Sequence, residues 1–176
     1  MSKLSFEKLS SRNISEADLL RRLMIKRDNL VDTDQDLFKK ILNKELKSYY
    51  PILDYKIIKY NDDSIGLMGQ YNSFLFKNDL WLGWAGILKE FELENNALYA
   101  NTLKLWEISV KKTYPSIDHL RAYVSKSKEK LDVKILKDQG FIQEESLYKK
   151  NGVEDIIILS KCIKGEYRPW KRKPIW

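Results

Sequence analysis

The side chains that most often carry nucleophilic or metal chemistry are scarce in this sequence. Its 176 residues include one cysteine, Cys162, and one histidine, His119. A single cysteine excludes an internal disulfide framework, and no cluster has the spacing of a zinc site, so we expect no metal. Cys162 stands in an alternating apolar run, which predicts a small core residue rather than a nucleophile. A Ser-His-Asp triad is disfavoured, whereas His119 remains a candidate general base.

A net charge of +7 favours anionic partners such as nucleic acid, phosphorylated cofactors or acidic surfaces. Cations and aromatic side chains alternate most densely in a tail over residues 165–176, which includes Trp170 and Trp176. Such a tail can hold nucleic acid through phosphate contacts and base stacking. It can equally pack back onto the domain or onto a second subunit in a homodimer. The sequence leaves these alternatives open.

The chain length suits one domain with a real core. We assign residues 1–164 to that domain and residues 165–176 to the basic aromatic tail. The apolar runs are too short to cross a bilayer, and the amino terminus lacks the apolar stretch of a signal peptide. We therefore expect a cytoplasmic protein without a membrane partner.

Hydrophobic periodicity and turn signals predict the element order β α α β β β α β α β β. The second helix is expected to open at residues 32–34 and to end at Pro51. Three strands over 55–60, 65–71 and 80–88 form an antiparallel meander, and a long helix follows over 92–113. A strand over 119–124 and a helix over 129–138 precede Gly140, the usual position of a left-handed cap. A closing hairpin turns at residues 151–152.

This element order resembles that of the GNAT acetyltransferase superfamily over nearly the whole chain, to about residue 164. The segment 133–141, Val-Lys-Ile-Leu-Lys-Asp-Gln-Gly-Phe, looks like the family's short helix that ends in Gly-Phe. The segment 81–87, Trp-Leu-Gly-Trp-Ala-Gly-Ile, looks like its central strand. The resemblance implies an α/β fold with a mixed, mostly antiparallel central sheet flanked by helices.

The resemblance also implies where acetyl-CoA would bind as cosubstrate. In the family, the central strand splays from its neighbour, and the pantetheine arm pairs with the exposed backbone. Those positions here are Gly86, Ile87 and Leu88, and both Gly83 and Gly86 are compatible with a bulge. The next turn and helix N-terminus offer N–H groups to the pyrophosphate, at positions Asn95, Asn96 and Ala97. The lysine-rich stretch 126–130 lies where the adenine and 3′-phosphate often rest.

Two family features are replaced in this chain. The phosphate loop falls on residues 92–97, where only Ala97 fits the family pattern. Glu92 and Glu94 occupy the place of an anion, and each would oppose a phosphate by about 1 kcal/mol at solvent-exposed distances. Leu136 stands where many members have a tyrosine that serves as general acid. The remaining candidates for proton transfer are Tyr123, Ser125 and His119.

Aromatic side chains crowd the central hairpin, where they either form core packing or line an acceptor pocket beside the thioester. Trp81 and Trp84 differ by three positions and face opposite sides of a regular strand, so only one lines a cleft unless Gly83 introduces a bulge. Trp84 is the candidate substrate contact. The sequence thus predicts an N-acyltransferase that acetylates a primary amine of an unspecified acceptor. The alternative is a catalytically inactive GNAT-like binding or regulatory protein.

Overall fold

A computed structural model describes residues 3–27, 35–94, 97–125, 129–150 and 154–171. These residues form one seven-stranded sheet with helices on both faces. In chain order the elements are β1 (Leu4–Lys8), α1 (Ile14–Arg27), α2 (Leu37–Leu42), β2 (Leu53–Tyr60), β3 (Asp63–Tyr71), β4 (Asp79–Ile87), α3 (Lys89–Glu94), α4 (Leu98–Thr113), β5 (His119–Ser125), α5 (Glu129–Asp138), β6 (Ile142–Lys150) and β7 (Glu154–Cys162).

The strand order across the sheet is β1-β2-β3-β4-β5-β7-β6. Strands β1 to β4 form an antiparallel meander, and β5, β7 and β6 are antiparallel to one another. Among the described strands the one parallel pair is β4 with β5, because α3 and α4 carry the chain across one face between them. The predicted α/β class and the mostly antiparallel mixed sheet are therefore confirmed.

Each face of the sheet has its own apolar layer. On one face, α4 and α5 bury a large cluster that includes Trp106, Leu103 and Leu136 against the strands. On the other face, α1 and α2 cover Tyr55, Ile57 and neighbouring residues. Within the described residues, no helix combines the length and apolar character needed to cross a membrane.

Helix α5 and its cap agree with the sequence in detail. The helix spans Glu129–Asp138 as predicted. Gly140 has a φ of +84°, a left-handed conformation that glycine adopts without the cost of a Cβ atom. The N–H of Phe141 donates to the carbonyl oxygen of Leu136 at 3.1 Å, which closes the cap.

Two predicted helix boundaries are wrong. The long helix expected over 92–113 begins at Leu98, and a separate short helix, α3, precedes it. The sequence has two consecutive asparagines at 95 and 96, and asparagine is a poor helix former because its side chain competes for backbone hydrogen bonds. Helix α2 ends at Leu42 rather than at Pro51, since Lys44 adopts a φ of +60° and the chain continues in turns. Residues 28–34 and the hairpin turn 151–152 lie outside the described residues.

Candidate active site

Strands β4 and β5 are paired over only three positions. Asp79 aligns with His119, Leu80 with Leu120 and Trp81 with Arg121, and the pairing then stops. Beyond Trp81, β4 continues to Ile87 beside β3, while β5 continues to Ser125 beside β7. The two strands therefore separate towards their carboxyl ends and leave a wedge in the sheet. We call the end at Trp81 the apex of the wedge.

A β-bulge lies in β4 just beyond the apex. Gln70 of β3 aligns with Leu82 and Met68 aligns with Ala85, so that Gly69 stands opposite both Gly83 and Trp84. The extra residue shifts the alternation of side chains by one position. As a result Trp81 and Trp84 lie on the same face of the sheet, where they pack against Tyr71 and Leu67 respectively. The bulge that the sequence allowed at Gly83 is present.

The backbone groups beside the wedge follow from the same register. The N–H of Leu88 donates to the carbonyl oxygen of Ile65 in β3 at 2.8 Å. Because backbone groups alternate along a strand, the N–H and C=O of Ala85 point away from β3 and towards the wedge. Ala85 is partly exposed. An extended ligand that enters the wedge can therefore pair with β4 as an added strand would.

A buried phenol reaches this bulge from β2. The ring of Tyr55 lies over Gly69, where a methyl group in place of the glycine hydrogen would stand 2.5 Å from Tyr55 Cε1. The equivalent methyl group on Gly83 would stand 3.4 Å from the Tyr55 hydroxyl. Burial raises the pKa of Tyr55 far above its ordinary value, and a backbone hydrogen bond from Trp84 opposes this only in part. The hydroxyl stays protonated at neutral pH. The sequence did not indicate Tyr55 as a site residue, because it stands there only as one residue of a predicted apolar strand.

The aromatic cluster on this face surrounds the apex. The rings of Tyr71 and Trp81 stack with centroids 6.4 Å apart, and the ring of Tyr123 lies 6.5 Å from Trp81. The indole N–H of Trp81 is buried and has no hydrogen-bond partner among the described residues. A buried polar group without a hydrogen-bond partner costs about 1–3 kcal/mol, and a role in a functional site is one of the reasons for which proteins keep such a group.

The sequence-predicted catalytic candidates fall at different places along β5. Tyr123 lies two residues beyond the last pair with β4, on the face that carries the Tyr55 ring. Ser125 lies at the open end of the wedge. His119 is at the opposite, closed end and is fully buried. Leu136 is buried in the core of the α5 face. The structure therefore brings Tyr123 close to the wedge and leaves His119 away from it.

His119 has a structural partner instead. Its Nε2 accepts the backbone N–H of Arg168 at 2.9 Å, which requires an unprotonated nitrogen. Burial, reinforced by the charge of Arg121, lowers the pKa of His119. The histidine thus anchors the start of the C-terminal tail to the sheet.

Arg121 is the centre of a buried polar network that the sequence did not reveal. Only 2% of the residue is exposed. Its guanidinium group donates to Asp79 Oδ1 at 2.9 and 3.1 Å, to Ser160 Oγ at 2.6 Å and to the carbonyl oxygen of Arg168 at 2.8 Å. It also donates to Glu144 Oε1 at 3.3 Å. Asp79 and Arg121 lie within the three-residue pairing of β4 with β5, so the network fixes the closed side of the wedge.

The tail completes this network. Glu144 Oε1 accepts the backbone N–H of Trp170 at 3.0 Å and the hydroxyl of Tyr167 at 2.9 Å. Burial and the Glu144 carboxylate raise the pKa of Tyr167 to about 12. The Trp170 ring is 5% exposed and packs edge-on against Trp81 at 5.0 Å. Residues 165–171 thus pack back onto the domain, which was one of the alternatives left open by the sequence. The buried Trp170 ring is not accessible for stacking on a nucleic-acid base. Trp176 lies outside the described residues.

The phosphate end of the predicted cofactor site is described only in part. Ala97 is the N-cap of the 16-residue helix α4 and makes no side-chain cap hydrogen bond. Asn95, Asn96 and residues 126–128 of the lysine-rich stretch 126–130 lie outside the described residues, and Glu129 begins α5. Within the described residues, no three His, Cys, Asp or Glu side chains are grouped so that they could hold a metal ion. Cys162 is half-buried at the end of β7 rather than in the core.

Solved structures with the same architecture come from the GNAT family. A protein assigned to the GNAT acetyltransferases from Desulfovibrio desulfuricans superposes with a TM-score of 0.67 at 16% identity, over 93% of this chain and 100% of that one. A spermidine N-acetyltransferase from Vibrio cholerae, in complex with coenzyme A and spermine, gives 0.65 at 15% identity, over 90% and 95%. A GNAT acetyltransferase from Elizabethkingia anophelis with acetyl-CoA bound gives 0.59 at 16% identity, over 91% and 98%. No family model and no curated protein matches the sequence.

Proposed function

We propose that this chain, which has the GNAT acetyltransferase fold, is an acyl-CoA-dependent N-acyltransferase that transfers an acetyl group from acetyl-CoA to a primary amine. The observation that carries the proposal is the separation of β4 from β5 beyond Trp81, next to a bulge at Gly83 and Trp84. A sheet interior normally keeps neighbouring strands paired, since unpaired buried backbone groups are costly. A ligand with amide groups along an extended arm would restore that pairing.

The residues that would hold the thioester arm are those beside the wedge. Ala85 directs its backbone N–H and C=O into it. Of the predicted set Gly86, Ile87 and Leu88, the backbone groups of Gly86 and Leu88 face β3 instead, so we assign the arm to Ala85, beside Ile87. The amides of pantetheine have the spacing of a short peptide and suit β-strand addition. At the other end, the N-cap position of α4 at Ala97, together with Asn95 and Asn96, would meet the pyrophosphate.

Attack by a neutral amine on the thioester carbonyl forms a C–N bond and breaks the C–S bond; the nitrogen loses one proton and the departing thiolate takes up one. The chain can assist in two ways. Backbone N–H groups at the bulge can polarise the carbonyl oxygen as it gains charge. A phenol near the wedge can supply a proton, and we assign this role to Tyr123, whose ring centroid lies 6.5 Å from that of Trp81. Trp84 would line the acceptor side on the same face.

A second candidate function rests on one observation. The short helix Lys89–Glu94 includes the first three of positions 92–97, where the family pattern has a glycine-rich phosphate loop. With Leu136 buried in place of a tyrosine, the chain could be a GNAT-like binding protein without catalysis. The two functions differ in turnover rather than in fold.

A titration with acetyl-CoA distinguishes these possibilities. At about 100 times its dissociation constant a ligand adds about 2.7 kcal/mol of stability, which for a protein of this size raises Tm by roughly 5–10 °C. We expect such a shift with acetyl-CoA, followed by thiol release when a panel of primary amines is added. Absence of any shift at millimolar acetyl-CoA would refute the enzyme hypothesis, and a shift without thiol release would support the binding protein.

The matched variants are Ala85→Pro and Gly83→Ala. Proline at 85 removes an N–H that points into the wedge while the pairing with β3 is kept, so the acetyl-CoA shift should fall by at least half. A methyl group on Gly83 meets its nearest neighbour at 3.3 Å, and this variant should keep most of the shift. Thermal unfolding without ligand shows that both variants fold.

A further inference from the structure

We propose that a cavity at the closed end of the sheet, remote from the open end of the wedge, is a second binding site, which takes a small carboxylate with an apolar body. The cavity measures about 430 Å³, within the range of about 300–1,000 Å³ that small-molecule sites occupy. The residues that line it come from the ends of β1, β2 and α4, from the end of α2 and from the segment that follows α2. No residue of β4 or β5 is among them, so the site is separate from the candidate active site.

The cavity exists because β1 is shorter than β2. The register between these strands ends where Lys8 pairs with Lys56, and the N–H of Leu9 then donates to the carbonyl oxygen of Tyr55 at 3.2 Å. Leu53 and Asp54 of β2 therefore have no β1 residue beside them in that register. The turns after α2 stand off from this exposed strand end and close the other side.

The interior of the cavity is mainly apolar. Leu9 is buried, and the side chains around it are half-buried. A ligand that covers this surface gains about 25 cal/mol for each Å² of apolar area removed from water, so an alkyl or aryl body suits the interior. The apolar lining is made by Leu9, Ile41, Leu42, Leu46, Ile52 and Leu53.

The rim of the cavity is cationic. Lys8, Lys44 and Lys47 line it, and all three are exposed. None of them makes an ion pair with a described residue. Three ammonium groups at one mouth, against the single carboxylate of Asp54 in the lining, attract an anion and repel a cation.

Two polar groups inside the cavity are compatible with an anion. The Asp54 carboxylate lies 3.8 Å from Lys56 Nζ, with both side chains largely buried, and it also interacts with the charge of Lys8. Lys44 and Lys47 therefore carry the positive charge of the rim that this carboxylate does not offset. The hydroxyl oxygen of Tyr114 accepts a long hydrogen bond of 3.4 Å from Gln70. The proton of Tyr114 has no acceptor among the described residues, which leaves it available to an oxygen atom of the ligand.

The test uses three six-carbon probes that share a chain and differ in charge: sodium hexanoate, 1-hexanol and hexylammonium chloride. Each is titrated into the ¹⁵N-labelled full-length protein without acetyl-CoA, and the amide signals are followed by NMR. We expect hexanoate to shift the amides of Leu9, Lys44 and Asp54 saturably. Hexanol should bind more weakly, by about threefold or more, and hexylammonium more weakly still, in keeping with partly screened surface ion pairs.

The matched variants are the double substitutions Lys44→Gln/Lys47→Gln on the rim and Lys134→Gln/Lys137→Gln on α5. Both remove two exposed lysines three positions apart, and the amide spectra report directly whether each variant folds. Hexanoate affinity should fall about threefold or more in the first variant and stay unchanged in the second. Equal affinity in both variants, hexylammonium binding as tight as hexanoate, or shifts that scatter over the surface without saturating would each overturn the proposal.

Discussion

Replacement of Trp170 by alanine tests whether the C-terminal tail is part of the domain. The Trp170 ring is 5% exposed and contacts the rings of Phe76 and Trp81 at 4.9 and 5.0 Å, with the Arg121 guanidinium 5.6 Å from its centroid. Truncation of a buried tryptophan or phenylalanine to alanine costs about 3–5 kcal/mol because a cavity remains. For 176 residues this corresponds to a fall in Tm of roughly 6–20 °C.

The assay is urea unfolding followed by circular dichroism, with stability taken from the midpoint and slope. Tyr49→Ala is the matched control, because Tyr49 is an aromatic residue with 65% exposure, and it should change stability by less than about 0.5 kcal/mol. Trp170→Phe keeps a ring in the site and provides a milder variant if Trp170→Ala does not fold. A Trp170→Ala protein within about 1 kcal/mol of the parent would refute a docked tail.

Three further predictions concern the same region and the wedge. His119→Gln should flatten the pH dependence of the free energy of unfolding. The pKa of His119 in the folded protein is lowered below its ordinary value of about 6.5, so the unfolded chain binds a proton first and the parent protein loses stability as pH falls below about 6.5. Urea midpoints between pH 7.5 and 5 that fall equally in both proteins contradict this prediction. Gly69→Ala places a methyl group 2.5 Å from Tyr55 Cε1 and 2.9 Å from the Trp84 carbonyl oxygen. The substitution should lower the free energy of unfolding by about 1–3 kcal/mol and weaken the thermal shift with acetyl-CoA. No change in either measurement would mean that the bulge is not tightly packed. If the Tyr123 phenol donates the proton, Tyr123→Phe should lower the maximal rate of thiol release about 100-fold or more and leave the acetyl-CoA thermal shift unchanged. An unchanged rate rejects Tyr123 as the proton donor.

Most elements were predictable because each carries a local signal. The apolar stripe and Gly140 defined α5 to the residue, and polar turns bounded the strands of the meander. The boundary at Leu98 was missed because the charged, apolar and asparagine residues of 89–97 fit both one long helix and two helices. Lys44 shows a different difficulty: a lysine with positive φ that ends a helix gives no sequence signal, since glycine or asparagine is the usual residue there.

The site was predictable only where it depends on the backbone. Resemblance to a family indicated that a central strand would part from its neighbour, and glycine at 83 allowed the bulge. The side chains that meet around the apex, Tyr55 and Arg121 above all, come from strands far apart in the sequence. Arg121 appears as one cation in a basic chain, and its burial depends on Asp79 and Glu144, which lie 42 and 23 positions away. Long-range pairing of this kind leaves no periodic pattern.

The buried network also explains why the wedge has a fixed apex. Where β4 and β5 separate, each strand loses backbone hydrogen bonds to the other, and without a clamp the three remaining pairs could slip or open. Asp79 and Arg121 join the two strands through a buried ion pair at 2.9 Å within those three positions, and removal of one partner from such a pair usually costs about 3–5 kcal/mol. The tail supplies the Arg168 carbonyl oxygen to the same guanidinium group. Loss of the tail should therefore loosen the apex as well as the core, so that a truncated chain ending at residue 164 binds acetyl-CoA more weakly even at temperatures where it remains folded.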